Sequence, residues 1–290
     1  MANGEHLAAL HWSTHHWSTW RMTHAQVEPD LSEADFRGKD LSGINLSRVN
    51  LHRAYLSAAN LTAAQLQSAT LAKANLYEAI LTSADLTEAD LSHANLIGAT
   101  LSGTDLQSAN LRMADLREAT LTHANLTYAD FMGADLRDAT LRHADLADAN
   151  LMRADFSRAN LNAINATNAN LSRAKLIQTE LLAAHLNKAS LYKAILLQAQ
   201  LTGAFLMAAT LIEATLDQAN LSWVNLSRAN LTGASLQNAN LRGANLSRAN
   251  LRNANLQGAN LQRATLFKAD LTGANLQGAI LPTGWEKPLN

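Results

Sequence analysis

Histidines and carboxylates are the side chains best equipped for chemistry in this chain, and their spacing is regular. His11 and His15 are four residues apart, which on a helix would aim two imidazoles the same way, and His6, His16 and His24 lie nearby. Further along, His123 and His143 are twenty residues apart, as are Asp115, Asp135 and Asp155, with Arg117, Arg137 and Arg158 beside the carboxylates. Paired imidazoles suit a metal and paired carboxylates suit acid–base work. The sequence has no phosphate loop of the G-x-x-x-x-G-K-[ST] type, no H-E-x-x-H and no G-x-S-x-G. The twenty-residue spacing is therefore read first as a property of the scaffold, with the arginines forming a charge ladder beside the aspartates. No catalytic residue, metal or cofactor is assigned.

The scaffold follows from a shorter period. A leucine or close substitute recurs at every fifth position from Leu31 to Leu281, usually with alanine two residues before it, as in Ala34-Asp35-Phe36 and Ala259-Asn260-Leu261. On an α-helix a step of five turns about 500°, so these leucines would form no stripe. On a flat strand an odd step alternates faces. Alanine and leucine, two apart, share a face only in extended backbone, so the chain must bend once per five residues to keep each pair inward. Four bends of about 90° close a coil of about twenty residues, and coils stack at the strand spacing of about 4.8 Å.

The units Ala244-Asn245-Leu246-Ser247-Arg248, Ala249-Asn250-Leu251-Arg252-Asn253 and Ala254-Asn255-Leu256-Gln257-Gly258 closely resemble the A(D/N)LXX units of the pentapeptide-repeat family. The resemblance implies an all-β fold, a right-handed quadrilateral β-helix, over nearly the whole chain after Pro29. It leaves function open. Members range from proteins without assigned activity, through regulators of development in cyanobacteria, to DNA-shaped proteins that bind topoisomerases and confer quinolone resistance.

Composition agrees with a repeat fold: 48% of residues are hydrophobic, 16% charged, and there are three prolines. The chain contains no cysteine, which excludes disulfides and thiolate metal sites. No apolar run approaches the roughly 18 residues of a membrane span, and residues 1–28 lack the pattern of a secretory signal. A cytoplasmic protein with no membrane partner is expected.

Three segments are expected: an N-terminal helical cap over 1–29, the solenoid over 30–281 and a C-terminal cap or tail over 282–290. Asn3 and Glu5 read as a helix start, and Leu7, Leu10, Thr14, Trp17 and Arg21 fall at helical spacing. A cap is needed because the first coil would otherwise expose its core and its strand edges. At the other end Trp285 is a candidate lid after Pro282. Within the solenoid, Phe36, Phe131 and Phe156 read as core variants, and Ile164-Asn165-Ala166 as an exchange of the large and small inward residues. Lys39 stands at an inward alanine position near the end of the array, where its ammonium can reach water. The asparagines and aspartates before each leucine suit bonding of the backbone at the bends.

Outward positions carry the functional information. Residues 1–160 hold an excess of Asp and Glu, whereas 161–290 hold an excess of Lys and Arg, although the net charge is −1. A DNA mimic needs negative charge along most of its length. The basic half, with Arg228, Arg242, Arg248, Arg252, Arg263 and Lys268, is read as lacking interleaved aromatics and as a solvated surface, so nucleic acid is not an expected partner. Between about residues 175 and 225 the polar pattern breaks. Ile177 and Leu197 share a column with Ile195 beside them, Tyr192 and Ile212 share the adjoining one, and Leu182, Phe205, Met207 and Trp223 add apolar groups elsewhere. A contiguous apolar patch marks an interaction site. The expected function is a non-enzymatic scaffold binding another protein, or a second copy of itself, through this patch; the alternative is a DNA-mimicking binder of gyrase or another topoisomerase.

Overall fold

The computed structural model describes residues 2–12 and 14–285, with residues 11, 12, 14 and 15 described through their backbone alone. It divides into two compact units, Met1–Asn150 (unit 1) and Leu151–Asn290 (unit 2).

One five-residue segment, Asn95 to Ala99, explains the backbone of both units. The Asn95 N–H donates to Ala74 O of the preceding coil at 3.0 Å, and the Leu96 N–H to Asp115 O of the next at 2.7 Å. Asn95 Oδ1 accepts the Ile97 N–H at 3.2 Å, closing an Asx turn. The Gly98 N–H reaches Arg117 O at 2.9 Å, and the Ala99 N–H closes the bend on Leu96 O at 3.0 Å. All five backbone donors are thereby satisfied. The pattern recurs along both units, with bridged residues always twenty apart and parallel, from Asp30↔Asn50 to Asp130↔Asn150 in unit 1 and from Asp155↔Lys175 to Asn260↔Ile280 in unit 2.

The bend demands a left-handed residue two positions after each leucine. Glu33, Arg48, Lys73, Tyr128 and Trp223 all have φ between 57 and 61° or thereabouts, and glycines such as Gly243 (φ 72°) occupy the same place. Left-handed backbone is most costly for branched side chains. From residue 33 to 278 this position never holds Val, Ile, Thr or Leu. The same residue cuts each extended stretch to alanine, the Asx residue and leucine. The β character therefore consists of isolated parallel bridges, and no continuous strand or sheet forms among the described residues.

From Leu31 to Ala264 the alanine and leucine positions are buried, Lys39 excepted, with Leu56, Leu116, Leu176 and Leu236 at 0% exposure. Phe131 and Phe156 are fully buried, and Ile164 and Ala166 are both inside, so the exchange of large and small is accommodated and the hydrogen bonding continues through 161–170. Thr104 and Thr179 replace inward alanines; each hydroxyl donates to a buried carbonyl, Leu81 O at 2.9 Å and Phe156 O at 2.8 Å, which removes the cost of burying it. Lys39 is exposed.

The first coil is covered by two helices, α1 (Gly4–Trp12) and α2 (Thr14–Thr23). The Asn3 side chain caps α1 by accepting the Glu5 N–H at 2.9 Å. Trp17 is fully buried and its indole N–H donates to Asn45 O at 2.7 Å, while Arg21 donates to Ser47 O at 2.8 Å. Burial, followed by the charge of Arg48, lowers the Arg21 pKa from its ordinary value. Beneath this cover Leu31, Phe36, Leu41 and Leu46 are buried. In the last coil Leu266, Leu271, Leu276 and Leu281 remain half-exposed, and the chain turns at Pro282, whose carbonyl accepts the N–H of a half-exposed Trp285 at 3.1 Å.

Candidate interaction surface

Three of every five residues point outward, and the twenty-residue coil stacks them into columns on four sides. Ile177 and Leu197 share one column, with Ile195 on the same side; Ile195 is exposed, and the other two are half-buried. A ladder of amides runs along this cluster: Gln178 Nε2 donates to Gln198 Oε1, and Gln198 Nε2 to Gln218 Oε1, both at 2.9 Å. It fixes the edge of the apolar ground in polar, solvated groups.

Tyr192 and Ile212 stand half-buried on the adjoining side. Lys193 spans them, with its ammonium 5.2 Å from the Tyr192 ring and 3.0 Å from Glu213. Glu213 and Tyr192 raise the Lys193 pKa from its ordinary value through hydrogen bonds and charge.

The remaining patch residues lie on the other two sides. Leu182 is 51% exposed beside a shallow cavity lined by Asn162, Glu180, Gln200 and Thr202. Phe205 and Met207 are exposed together, with the Phe205 ring 4.7 Å from that of His185. Trp223 is 58% exposed, and its ring lies over Gly243: a Cβ at that glycine would stand 2.5 Å from the indole. The structure thus joins Ile177, Ile195 and Leu197 with Tyr192 and Ile212 around one corner, and sets Leu182 and Trp223 on one further side and Phe205 and Met207 on another.

Where the residue before leucine is not Asn or Asp, the Asx turn lacks its acceptor. At three such places in unit 2 a side chain one coil earlier replaces it. The Leu182 N–H donates to Asn162 Oδ1 at 2.8 Å, the Met207 N–H to Asn187 Oδ1 at 3.1 Å and the Gln237 N–H to Asp217 Oδ1 at 2.9 Å. Glu180, Phe205 and Ser235 can consequently occupy the Asx column without leaving a bend unbonded.

Sequence reasoning overlooked exposed apolar residues in unit 1. Tyr77, which is exposed, and Ile97 occupy the place in the twenty-residue coil of unit 1 that Ile177 and Leu197 occupy in unit 2, and Tyr55, Met113 and Tyr128 are exposed elsewhere. The column rule that singled out Ile177 would have found them.

The groups suited to chemistry are engaged otherwise. His6 Nδ1 accepts the Asp30 N–H at 2.9 Å, and His24 stacks on Trp20 at 4.6 Å with Nδ1 3.0 Å from Trp20 O. The His11 and His15 side chains lie outside the described residues. The rings of His123 and His143 stack in parallel 5.0 Å apart. Asp115 and Asp135 each take a two-pronged contact from Arg117 and Arg137 respectively, and Asp155 accepts from Ser157 at 2.6 Å and pairs with Lys175 at 3.3 Å. Burial pushes the Asp135 carboxyl up, but hydrogen bonds from Arg137 and the charges of Arg137 and Arg117 hold it below its ordinary value. Among the described residues no three His, Cys, Asp or Glu side chains gather into a metal site, and no described helix is long and apolar enough to cross a membrane.

A family profile described as pentapeptide repeats matches repeatedly, over 30–62, 59–98, 99–138, 134–173, 169–207, 206–243 and 244–281. The chain belongs to the pentapeptide repeat family. It is 33% identical to HetL, a pentapeptide repeat protein involved in heterocyst differentiation regulation in the cyanobacterium Nostoc sp. PCC 7120, with 93% of this chain and 98% of HetL covered and a TM-score of 0.36. A trypsin-treated form of QnrB1, a plasmid-mediated fluoroquinolone resistance protein, shows 19% identity over 67% of this chain and 88% of its own, with a TM-score of 0.49. Rfr23 from the cyanobacterium Cyanothece 51142 is 30% identical over 44% of this chain and 90% of its own, with a TM-score of 0.22. No curated protein sequence matches. What distinguishes one pentapeptide repeat protein from another is its outward columns, because the inward ones are set by the repeat.

Proposed function

We propose that this pentapeptide repeat protein is a non-enzymatic scaffold that binds another protein through the corner of unit 2 bearing Ile177, Tyr192, Ile195, Leu197 and Ile212. The scaffold in this reading is a right-handed quadrilateral β-helix with three segments: a cap over 1–29, one repeat array over 30–281 and a tail over 282–290. Its setting is cytoplasmic. The observation that carries the reading is the apolar cluster itself, which the core does not require: Leu176 and Leu196, buried next to Ile177 and Leu197, fill the interior in the ordinary way. A rigid platform of this kind orders little when it binds, so apolar contact converts efficiently into affinity.

The non-enzymatic reading is supported by the engagement of Asp115, Asp135, Asp155, His6, His24, His123 and His143 in turns, stacks and ion pairs. Affinity capture from the native cell, with the wild-type chain and with Ile177→Gln/Leu197→Gln, tests the binding reading. The double variant is expected to lose on the order of 2 kcal/mol of partner affinity if both side chains act as buried anchors. A DNA gyrase supercoiling assay tests the DNA-mimic alternative. No effect is expected, and inhibition or protection that weakens with salt would replace the scaffold reading.

A further inference from the structure

A different side of the repeat carries opposite charge in the two units. In unit 2 the side that includes Phe205 and Met207 also bears Lys188, Arg228, Arg248 and Lys268, and between residues 165 and 268 its outward columns contain no Asp or Glu. Apolar groups are interspersed among these cations. Phe205 and Met207 are exposed, and so is Phe267, whose ring lies 5.3 Å from the Lys268 ammonium. In unit 1 the equivalent positions of the coil bear Asp85, Glu88, Asp105, Asp145 and Asp148, with no Lys or Arg at these positions between residues 65 and 148, and Tyr128 stands 60% exposed among them.

We propose that two copies of this chain associate by docking the basic, aromatic-bearing side of unit 2 in one copy onto the acidic side of unit 1 in the other. Charge complementarity selects a second copy as the occupant. A basic side facing nucleic acid has no use for a matching acidic side on the same chain, whereas self-association uses both. Geometry favours the same occupant. Lys188, Arg228, Arg248 and Lys268, like Glu88 and Asp148, occupy the left-handed corner position, with φ between 55 and 60°, so all project from equivalent places on the coil. Both strips also repeat at the coil spacing of about 4.8 Å, so charges that meet at one coil still meet several coils on. Paired potentials of this kind fix register and orientation, and the exposed rings supply apolar contact at the centre. The residues differ from the Ile177 and Leu197 pair, so this proposal and the scaffold reading fail separately.

The test is sedimentation equilibrium on the full chain, at about 0.1 M and about 1 M salt, where the Debye length falls from about 10 Å to about 3 Å. Two variants accompany it: Arg228→Glu/Arg248→Glu/Lys268→Glu, and Glu88→Lys/Asp148→Lys. Both should fold, since Glu33, Glu78 and Glu213, and Lys73 and Lys193, already occupy the same backbone position, and melting curves check this. The wild-type chain is expected to self-associate in low salt and to weaken more than about tenfold in high salt. Each variant alone is expected to be monomeric, and an equal mixture of the two to associate again, because the untouched acidic strip of the first variant meets the untouched basic strip of the second. A wild-type chain monomeric in low salt overturns the proposal, as does association that survives either set of reversals, or a mixture that stays monomeric. A monomeric chain that binds a mixed-sequence single-stranded oligonucleotide through Arg228, Arg248 and Lys268 would assign the basic side to nucleic acid instead.

Discussion

Unit 1 presents Asp85, Glu88, Asp105, Asp145 and Asp148 on the side of the repeating coil where unit 2 presents Lys188, Arg228, Arg248 and Lys268, while the inward positions of both hold leucine and alanine. Stability and recognition are thus carried by separate sets of columns. The interior admits only residues that fit the coil, and its exceptions, Thr104 in unit 1 and Thr179 in unit 2, are accommodated in the same way, by a bond to a buried carbonyl. The exterior is free to vary except at the bend, where left-handed backbone excludes branched side chains. The units also differ in their free ends: helices cover the first coil of unit 1, whereas the last leucines of unit 2 stay half-exposed.

The largest expected effects test whether the interiors are equivalent. Leu116→Ala and Leu216→Ala, both at fully buried positions, should each cost about 2–5 kcal/mol in denaturant unfolding. A large difference between them would show that the units do not share one packing. Trp17→Ala should be of similar size, about 3–5 kcal/mol, and confined to the N-terminal coils, with amide exchange accelerated there first and self-association through the exposed edge as a second readout. An unchanged melting temperature and an unchanged association state would remove the capping role.

Acid should separate the units. Hydrogen bonds from Arg37 bring the exposed Asp35 carboxyl from 3.8 to about 2. Asp85 and Asp135 are also held low: burial raises each, but hydrogen bonds, from Thr87 and Gln67 to Asp85 and from Arg137 to Asp135, together with arginine charge at Asp135, outweigh it. A carboxylate with a depressed folded pKa stabilises above its unfolded value and loses that contribution as pH falls through the folded one. Protection in unit 1, where Asp30 and Asp40 are held low as well, is therefore expected to fall between pH 3.8 and about 2, ahead of protection in unit 2, where Asp270 is held low by Thr272 and Arg252. Exchange monitored by mass spectrometry over that window would contradict this if unit 2 opened first.

A smaller effect probes the borrowed turns. Asn162→Ala leaves the Leu182 N–H without its acceptor and should cost about 1 kcal/mol. Asn162→Asp combined with Glu180→Gln, which retains the oxygen and removes the carboxylate that Asn162 Nδ2 contacts at 3.0 Å, should cost less. Equal losses would mean that the bond contributes little.

The five-residue period made the interior legible in the sequence, because only one bend per unit keeps Ala and Leu together; the core places of Phe131, Phe156 and Ile164 followed from it. The bonding of Asn and Asp at the bends was legible for the same reason. What remained hidden depends on neighbours one coil away. Single columns do not show that Asn162 serves the turn at Leu182, or that the Trp223 ring settles over Gly243 when Gly203 also stands in its column. Nor do they show that Ile177 and Leu197 are half-buried. At the N-terminus, one run of helical spacing over Leu7, Leu10, Thr14, Trp17 and Arg21 resolves into α1 and α2.

The most direct measurement compares two pairs at equivalent positions of the coil, one in each unit. Tyr77→Gln/Ile97→Gln in unit 1 and Ile177→Gln/Leu197→Gln in unit 2 remove the same kind of outward surface, so both variants should melt close to the wild-type chain. Partner capture from the native cell should be retained by the first and lost by the second. Capture lost equally by both, or by neither, would contradict the assignment of binding to unit 2, and unfolding of the second variant would place Ile177 and Leu197 in the core.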